Sequence, residues 1–308
     1  MERRRIGALE VSVVGLGCNN FGRRLDADRT ATVVNAALDA GINFFDTADV
    51  YGDGQSEEYL AHALGSRREE VVIATKFGNN MEGQGRGASA DYIRLAVEAS
   101  LRRLGTDYID LYQLHVPDPD VPIAETLGAL DELVQAGKVR EIGCSNFSAE
   151  QLREAEAATR GGAVRFASVQ NEYSLLKREP EREVLPYCEQ AGVAFLPYFP
   201  LASGLLTGKY RQDQALPEGT RLTTGGPSNR WLTDENLAQA EALAQFAESR
   251  GHTILELAFS WLLRWSSVAS VIAGATSPQQ VQSNVSAAAW HLTDAELAEI
   301  DTLLSQPA

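Results

Sequence analysis

Four residues able to handle a proton stand at or just past the ends of successive apolar runs: Asp46, Tyr51, Lys76 and His115. Phe44 and Phe45 close a run that stops on Asp46, and Tyr51 follows in a glycine-bearing loop. The run at 71–75 stops on Lys76, and the run that begins at 109 stops on His115. A phenol has an ordinary pKa of about 10, too high for a good base and marginal for an acid at neutral pH. A nearby ammonium favours the phenolate and lowers that value. Lys76 can supply the charge, and Asp46 can hold Lys76 in place and keep it charged. His115 can reach the same substrate oxygen as a hydrogen-bond donor, orienting it or sharing the proton transfer. Tyr51 is therefore the expected proton donor. Taken singly, each residue also fits a structural role: a buried ion pair, a loop aromatic, a satisfied core histidine. Their shared place at strand ends favours chemistry.

That shared place depends on the elements that carry them. Loose alternation around Gly7 and Ala8 suggests a short hairpin, and 13–17 a first barrel strand. Further strands are expected at 43–46, 71–76, 109–115, 141–146, 167–171, 193–198 and 268–274. Between them the apolar spacing predicts helices at 28–39, from 56, and at 90–104, 123–136, 181–191 and 278–288. Another starts after the capping-box pair Ser148 and Gln151. An insertion at 201–233 precedes two further helices, 234–250 and 253–264, and the last helix is 294–304. No linker divides the chain, so residues 1–308 are expected to form one domain. Eight strand–helix units in this length suit a parallel (β/α)8 TIM barrel with an N-terminal β-hairpin and extra C-terminal helices. An open doubly wound sheet is the alternative. Against it, no G-x-G-x-x-G follows the first strand: Gly15-Leu16-Gly17 continues as Cys18-Asn19-Asn20. The able residues at the run ends (Asp46, Lys76, His115, Ser145, Asn146, Gln170, Asn171, Tyr198) would lie along a line in an open sheet. Closure gathers them around one pocket.

Composition narrows the function. The chain has 308 residues, 44% hydrophobic and 22% charged, as in a globular protein. Its net charge of −15 disfavours nucleic acid and anionic membrane surfaces as partners. A small anionic cofactor needs only a few local donors and is compatible with that charge. Cys18, Cys144 and Cys188 are too scattered for a disulfide framework or a metal motif, which suits a reducing cytoplasm. No signal-peptide run or spanning stretch is evident. No His/Asp/Glu cluster across the strand ends supports a metal-dependent hydrolase.

The motifs carry a resemblance. The run GINFFDTA at 41–48 with Tyr51 and Gly52, LYQLH at 111–115, and KVREIGCSNF at 138–147 are similar to signatures of the aldo-keto reductases. LLTGKY at 205–210 and IAGATSP at 272–278 resemble the family's cofactor end. Gln280 followed by Asn284 resembles the branch that includes the potassium-channel β subunits. The resemblance implies the tetrad Asp46, Tyr51, Lys76 and His115, and a nicotinamide cofactor held extended across the barrel rim. It assigns Ser145, Asn146 and Gln170 to the carboxamide and Tyr198 to stacking on the nicotinamide. It brings the backbone from Pro200 and Leu201 to Leu206 towards the pyrophosphate, with Gly204 allowing close contact, and counts Lys209, Gly274, Thr276, Gln280 and Asn284 among the cofactor-binding residues, 274–277 leading to the anion-binding start of the last helix. Phe199, Ala273 and Gln280 depart from the commoner Ser, Pro and Arg. Arg221 matches an arginine of the channel-subunit branch and is expected on the adenosine phosphate, so NADPH is expected, with NADH as the alternative. Asn19, Asn20, Phe21, Phe77, Val116 and Trp231 are the expected substrate-facing residues. The implied reaction is reduction of an aldehyde or ketone to an alcohol, with no metal and no oligomer required. The rival is an NADP(H)-binding regulatory subunit like the channel β subunits.

Overall fold

In a computed structural model, residues 1–83, 85–159, 164–211, 214–223 and 230–305 of the chain are described. Strands β1 (Arg3–Ile6) and β2 (Leu9–Ser12) form an antiparallel hairpin. The barrel follows, built from β3 (Val14–Gly17), β4 (Phe44–Asp46), β5 (Val72–Phe77), β6 (Ile109–Leu114), β7 (Val139–Ser145), β8 (Ser168–Glu172), β9 (Ala194–Tyr198) and β10 (Val271–Gly274). Every pairing between these strands is parallel, in the order β10, β3, β4, β5, β6, β7, β8, β9. The ring closes just before β10. The Phe195 amide donates to the Ser267 carbonyl at 2.7 Å, and the Ala269 amide to the Phe195 carbonyl at 3.1 Å.

Helices return the chain between strands: α1 (Ala27–Asp39), α2 (Gln55–Leu64), α3 (Ala90–Leu104), α4 (Ile123–Gln135), α5 (Ala149–Ala158) and α6 (Val184–Ala191). Next come α7 (Asp234–Glu248), α8 (Ile254–Leu263), α9 (Pro278–Ser286) and α10 (Asp294–Ser305). In α1, Thr30, Val33, Val34 and Ala37 recur at helical spacing and bury one stripe against the strands. The Ser148 side chain accepts the Gln151 amide while the Gln151 side chain accepts that of Ser148, which sets the start of α5. The helix expected from 181 begins at Val184, because Pro180 cannot donate within a helix and the chain takes a tight turn at Glu179–Glu181 first.

Strand alternation divides the interior in two. Outward residues such as Ile73, Phe77 and Tyr112 pack beneath the helices. Inward residues, among them Phe44, Ala74, Leu111, Leu196 and Ile272, form a second core inside the ring, joined by Ile6, Leu9 and Val11 of the hairpin. The hairpin thus plugs the end of the barrel opposite the strand C-termini. Phe44 fits because Gly15 faces it. A Cβ on Gly15 would lie 2.8 Å from both the Phe44 ring and the Ser270 hydroxyl.

Arg4 pins the plug to the closure point. Its guanidinium donates to the carbonyls of Trp265 at 2.9 Å, Val268 at 2.7 Å and Leu263 at 3.0 Å. These carbonyls bracket the segment entering β10. We expect Arg4→Ala to lose about 2 kcal/mol, the scale for charge-assisted hydrogen bonds, and to lower Tm by a few degrees. Thermal denaturation followed by circular dichroism measures this, and an unchanged Tm contradicts it.

Candidate active site

Inward positions near the strand ends carry the polar side chains. Lys76 on β5 is fully buried and Asp46 on β4 nearly so. Asp46 Oδ2 accepts from Lys76 Nζ at 2.7 Å, and the same ammonium donates to the Thr47 carbonyl at 2.8 Å. Asp46 Oδ1 accepts from Gln170 Nε2 at 2.8 Å and Gln113 Nε2 at 3.3 Å. Lys76 Nζ stands 5.2 Å from the centroid of the Tyr51 ring. The His115 ring meets that of Tyr51 edge-on, with centroids 6.0 Å apart and planes at 82°. Four side chains from three strand ends and one loop are therefore neighbours.

Their electrostatics follow from burial and charge. Burial is the largest single influence on Lys76 and works against its ammonium, but Asp46 and Tyr51 together outweigh it and hold the Lys76 pKa above the ordinary lysine value. For Tyr51, burial raises the phenol pKa and Lys76 pulls it down; burial wins, and the value stands above that of a free phenol. This corrects the expectation of a lowered value, because removing a phenolate from water costs more than the ammonium returns. The phenol is protonated at neutral pH, the state a donor requires. Burial, then the Lys76 charge, pushes His115 down to about 3. Its imidazole is neutral near pH 7 and holds one N–H donor.

The loop that carries Tyr51 rests on a second buried group. Glu57 accepts from Thr75 Oγ1 at 2.6 Å and from Arg103 Nε at 2.6 Å. Beside it, burial and then the Glu57 charge push Asp49 up to about 7. The backbone ties the loop to the barrel as well, with the Asp49 amide donating to the Lys76 carbonyl at 3.2 Å.

A cleft of about 700 Å³ opens from Asp46, Tyr51 and His115 along the rim. One wall is a hydrogen-bonded run of strand ends. Ser145 Oγ donates to the Gln170 carbonyl at 2.7 Å, Asn146 Nδ2 to the His115 carbonyl at 3.0 Å, and Tyr198 Oη to Asn146 Oδ1 at 2.8 Å. Asn146 holds this position with φ 63°, a left-handed conformation that asparagine tolerates. Phe199, Ala202 and Ser203 also have positive φ, so the chain turns sharply along the cleft just after β9. Farther out lie Arg24, Lys209 and Arg221. Arg221 Nη2 donates to Asn20 Oδ1 at 2.8 Å. Burial, with Arg24 and Arg221 nearby, holds Lys209 below the ordinary lysine value. Burial and Arg24 do the same to Arg221. The cleft ends at Gly274, Thr276, Gln280, Ser283 and Asn284, at the start of α9.

A model of the aldo/keto reductase family matches residues 13–305. The chain belongs to the aldo/keto reductase family. It is 36% identical over 306 residues to aldo-keto reductase YhdN of Bacillus subtilis, an alignment covering 96% of this chain and 91% of that protein. It is also 36% identical over 299 residues to a probable voltage-gated potassium channel subunit beta of Arabidopsis thaliana, covering 93% and 91% of the two chains. Among solved structures it is similar to the glycerol dehydrogenase of Gluconobacter oxydans, at 33% identity and TM-score 0.83, over 98% of this chain and 95% of that one. The protein is thus an oxidoreductase of a family that acts on small carbonyl compounds and generally binds NADH or NADPH.

Within this aldo/keto reductase, the expected cofactor-side residues Ser145, Asn146, Gln170, Tyr198, Pro200, Leu201, Gly204, Lys209, Arg221, Gly274, Thr276, Gln280 and Asn284 all line the cleft, as do Asn19 and Asn20. Five of the expected cofactor and substrate residues are not among those lining the cleft. Leu206 is fully buried in the outer core, and its amide points back to the Leu201 carbonyl. Phe77 alternates outward after the inward Lys76 and stacks on Tyr112 at 4.7 Å. Phe21 turns into the core where Phe21 bridges Leu25. Trp231 is 5% exposed and packs in the same core. Val116 is half-buried and is not among the cleft-lining residues. Arg24 and Ser203 line the cleft unforeseen. The adjacent Arg23 and Arg24 were the only sequence signal for the former, and nothing in the residue pattern signals the latter.

Breaking the ion pair should destabilise the fold. Lys76→Met strands the Asp46 carboxylate inside the barrel, for which a loss of about 3 to 5 kcal/mol is expected. The two glutamine amides remain, so the lower end of that range applies. Urea denaturation checks it; unchanged stability means that water reaches the pair.

Proposed function

We propose that this chain, taken as one barrel domain over 1–308, reduces aldehydes or ketones to alcohols with NADPH, and that Tyr51 donates the proton. The observation that carries this reading is the phenol set against a buried ammonium that its carboxylate keeps charged, with Lys76 Nζ 5.2 Å from the Tyr51 ring. The donor set also suits the cofactor. Amides and hydroxyls of Ser145, Asn146 and Gln170 match a carboxamide's donors and acceptors, and Tyr198 offers a flat ring beside them. Arg24, Lys209 and Arg221 gather positive charge in one arm of the cleft, within a chain of net charge −15. Guanidinium and ammonium groups gathered in this way suit phosphates.

When bound, the nicotinamide supplies a hydride to the carbonyl carbon. The carbonyl π pair moves to oxygen, and Tyr51 Oη passes its proton to that oxygen, giving the alcohol. The phenolate left behind is stabilised by the Lys76 ammonium, which Asp46 holds in place. Neutral His115 donates its N–H to the same oxygen and orients it. The phenolate then recovers a proton from solvent. Asn19 lines the cleft and is the chain's candidate substrate contact, whereas Asn20 is engaged by Arg221 and the Ala275 carbonyl. No partner macromolecule or second subunit is needed for this chemistry.

Localisation to a reducing cytoplasm accords with the three free, buried cysteines, Cys18, Cys144 and Cys188. No described helix is long and apolar enough to cross a membrane. The likeness to a channel β subunit supports a second reading, a regulatory protein that senses the same cofactor. Turnover separates the two: an enzyme consumes NADPH against a panel of aldehydes, and a purely regulatory subunit does not.

Tyr51→Phe keeps the ring and removes the proton. NADPH binding, followed by fluorescence, should persist, while reduction of para-nitrobenzaldehyde falls by about two orders of magnitude or more. Near-normal turnover removes Tyr51 from this role. For the cofactor, Arg221→Ala should raise the NADPH Kd by about tenfold and leave the NADH Kd unchanged, the scale of one charge-assisted contact. Arg24 and Lys209 retain the rest of the preference. An unchanged NADPH/NADH ratio makes Arg221 a bystander.

A further inference from the structure

Gln113 is wholly buried, in register between Lys76 on β5 and Gly143 on β7. It shares the inward face of β6 with Leu111, and His115 continues that face beyond the strand end. Its Nε2 reaches Asp46 Oδ1 at 3.3 Å, the oxygen that also accepts from Gln170 Nε2 at 2.8 Å. A carboxylate only accepts, so both amides must present their NH2 groups to it. The cost of this arrangement is visible at the other end of the side chain: Gln113 Oε1 is buried with no hydrogen-bond partner among the described residues. A buried unsatisfied carbonyl is unfavourable, and an apolar residue of the same size would avoid it. Gly143 on the neighbouring strand leaves room for both Ser168 and the glutamine. A Cβ there would stand 2.5 Å from Ser168 Oγ and 3.2 Å from Gln113 Cγ.

We propose that Gln113 is a positioning residue that acts on Tyr51 through Asp46 and Lys76. The inference rests on Tyr51 being the proton donor. Asp46 divides its oxygens: Oδ2 takes the ammonium, and Oδ1 takes two amides. Amide dipoles aimed at Oδ1 draw carboxylate charge away from Lys76, so less of the ammonium's field is cancelled at the phenol. Without the Gln113 donor, Asp46 offsets Lys76 more fully and the phenolate is less stable. The direction agrees with the forces on Tyr51, where Lys76 lowers its pKa and Asp46 raises it. Other charged or titratable groups that act on this cluster are Cys18, which is buried beside Asp46 and Lys76, His115, Asp49, whose charge meets that of Lys76, and Tyr198 beside Tyr51. Cys18, His115 and Tyr198 are uncharged at neutral pH, because burial pushes the thiol and the phenol up and the imidazole down. Asp49, pushed up to about 7, titrates alike in wild type and variant, so the comparison between them isolates Gln113.

The two directions of the reaction respond differently. Alcohol oxidation needs the phenolate, and below the Tyr51 pKa its rate rises tenfold per pH unit; carbonyl reduction needs the protonated phenol. Gln113→Met keeps the volume and removes the donor. Oxidation of para-nitrobenzyl alcohol with NADP+ should fall by about three- to tenfold between about pH 7 and 9, a shift of roughly half to one unit in the controlling pKa. Reduction of para-nitrobenzaldehyde at about pH 7 should change by less than about threefold, with an unaltered NADPH Kd. A role confined to packing would lower both directions together. Superimposable oxidation profiles for folded wild type and Gln113→Met overturn the inference, as does an equal loss in both directions. The parallel Tyr51→Phe assay separates the two proposals. An active Tyr51→Phe removes the donor assignment and this inference with it, whereas an inactive Tyr51→Phe with an unshifted Gln113→Met profile removes this inference alone.

Discussion

An ammonium shut away from water inside a ring of strands is the constraint around which the upper barrel is arranged. Lys76 would shed its proton if buried alone, since desolvation acts against the charged form. Asp46 prevents this, but a buried carboxylate also needs its remaining lone pairs satisfied. Gln170 and Gln113 supply donors from β8 and β6, and the Thr47 carbonyl takes another ammonium proton. The polar layer therefore draws on several strands at once. It sits above an apolar layer of Phe44, Ala74, Leu111 and Leu196, which the hairpin seals from below. The seal matters to the chemistry because it keeps water from the inner side of the pair.

The rim shows the opposite balance. Towards the open cleft, Lys209 and Arg221 lie near Arg24, and burial and then the neighbouring positive charge hold both below their ordinary values. The surrounding chain is strongly acidic, so this patch is a local reversal of the global charge. One end of the cleft carries Asp46, Tyr51 and His115, and the other Arg24, Lys209 and Arg221. The positive-φ residues Phe199, Ala202 and Ser203 mark where the backbone is bent to form the wall between them. Strain of this kind persists when the surrounding structure holds it, and here the chain passes directly from β9 into a tight turn at Ala202–Thr207.

Asp46, Lys76 and His115 were legible because each interrupts an apolar run at its C-terminal end, and parallel strands place such residues on one rim. The same logic failed for Phe77, one residue farther along β5. Period-two alternation sends it outward to Tyr112, and the apolar run alone does not reveal where the strand stops. Phe21 and Trp231 were misplaced for another reason: a loop aromatic can face a cleft or a core, and only packing decides. Arg24 stayed hidden because its usefulness depends on Lys209 and Arg221, which are far away in sequence. Gln113 was read as one letter of a strand motif, and its contact with Asp46 appears only when β6 is set beside the rest of the ring.

By itself the sequence determined the order of strands and helices, the capping of α5 by Ser148 and Gln151, and the types of group available at the rim. These are local properties, written in periodicity, turn residues and hydrogen-bonding side chains. The tertiary structure decided which groups meet. Closure between Phe195 and the 267–269 segment brings Gln170 of β8 within 2.8 Å of Asp46 on β4. It also decided the sign of the Tyr51 shift. Burial there outweighs the nearby ammonium, and burial is a property of the whole fold that no local residue pattern contains.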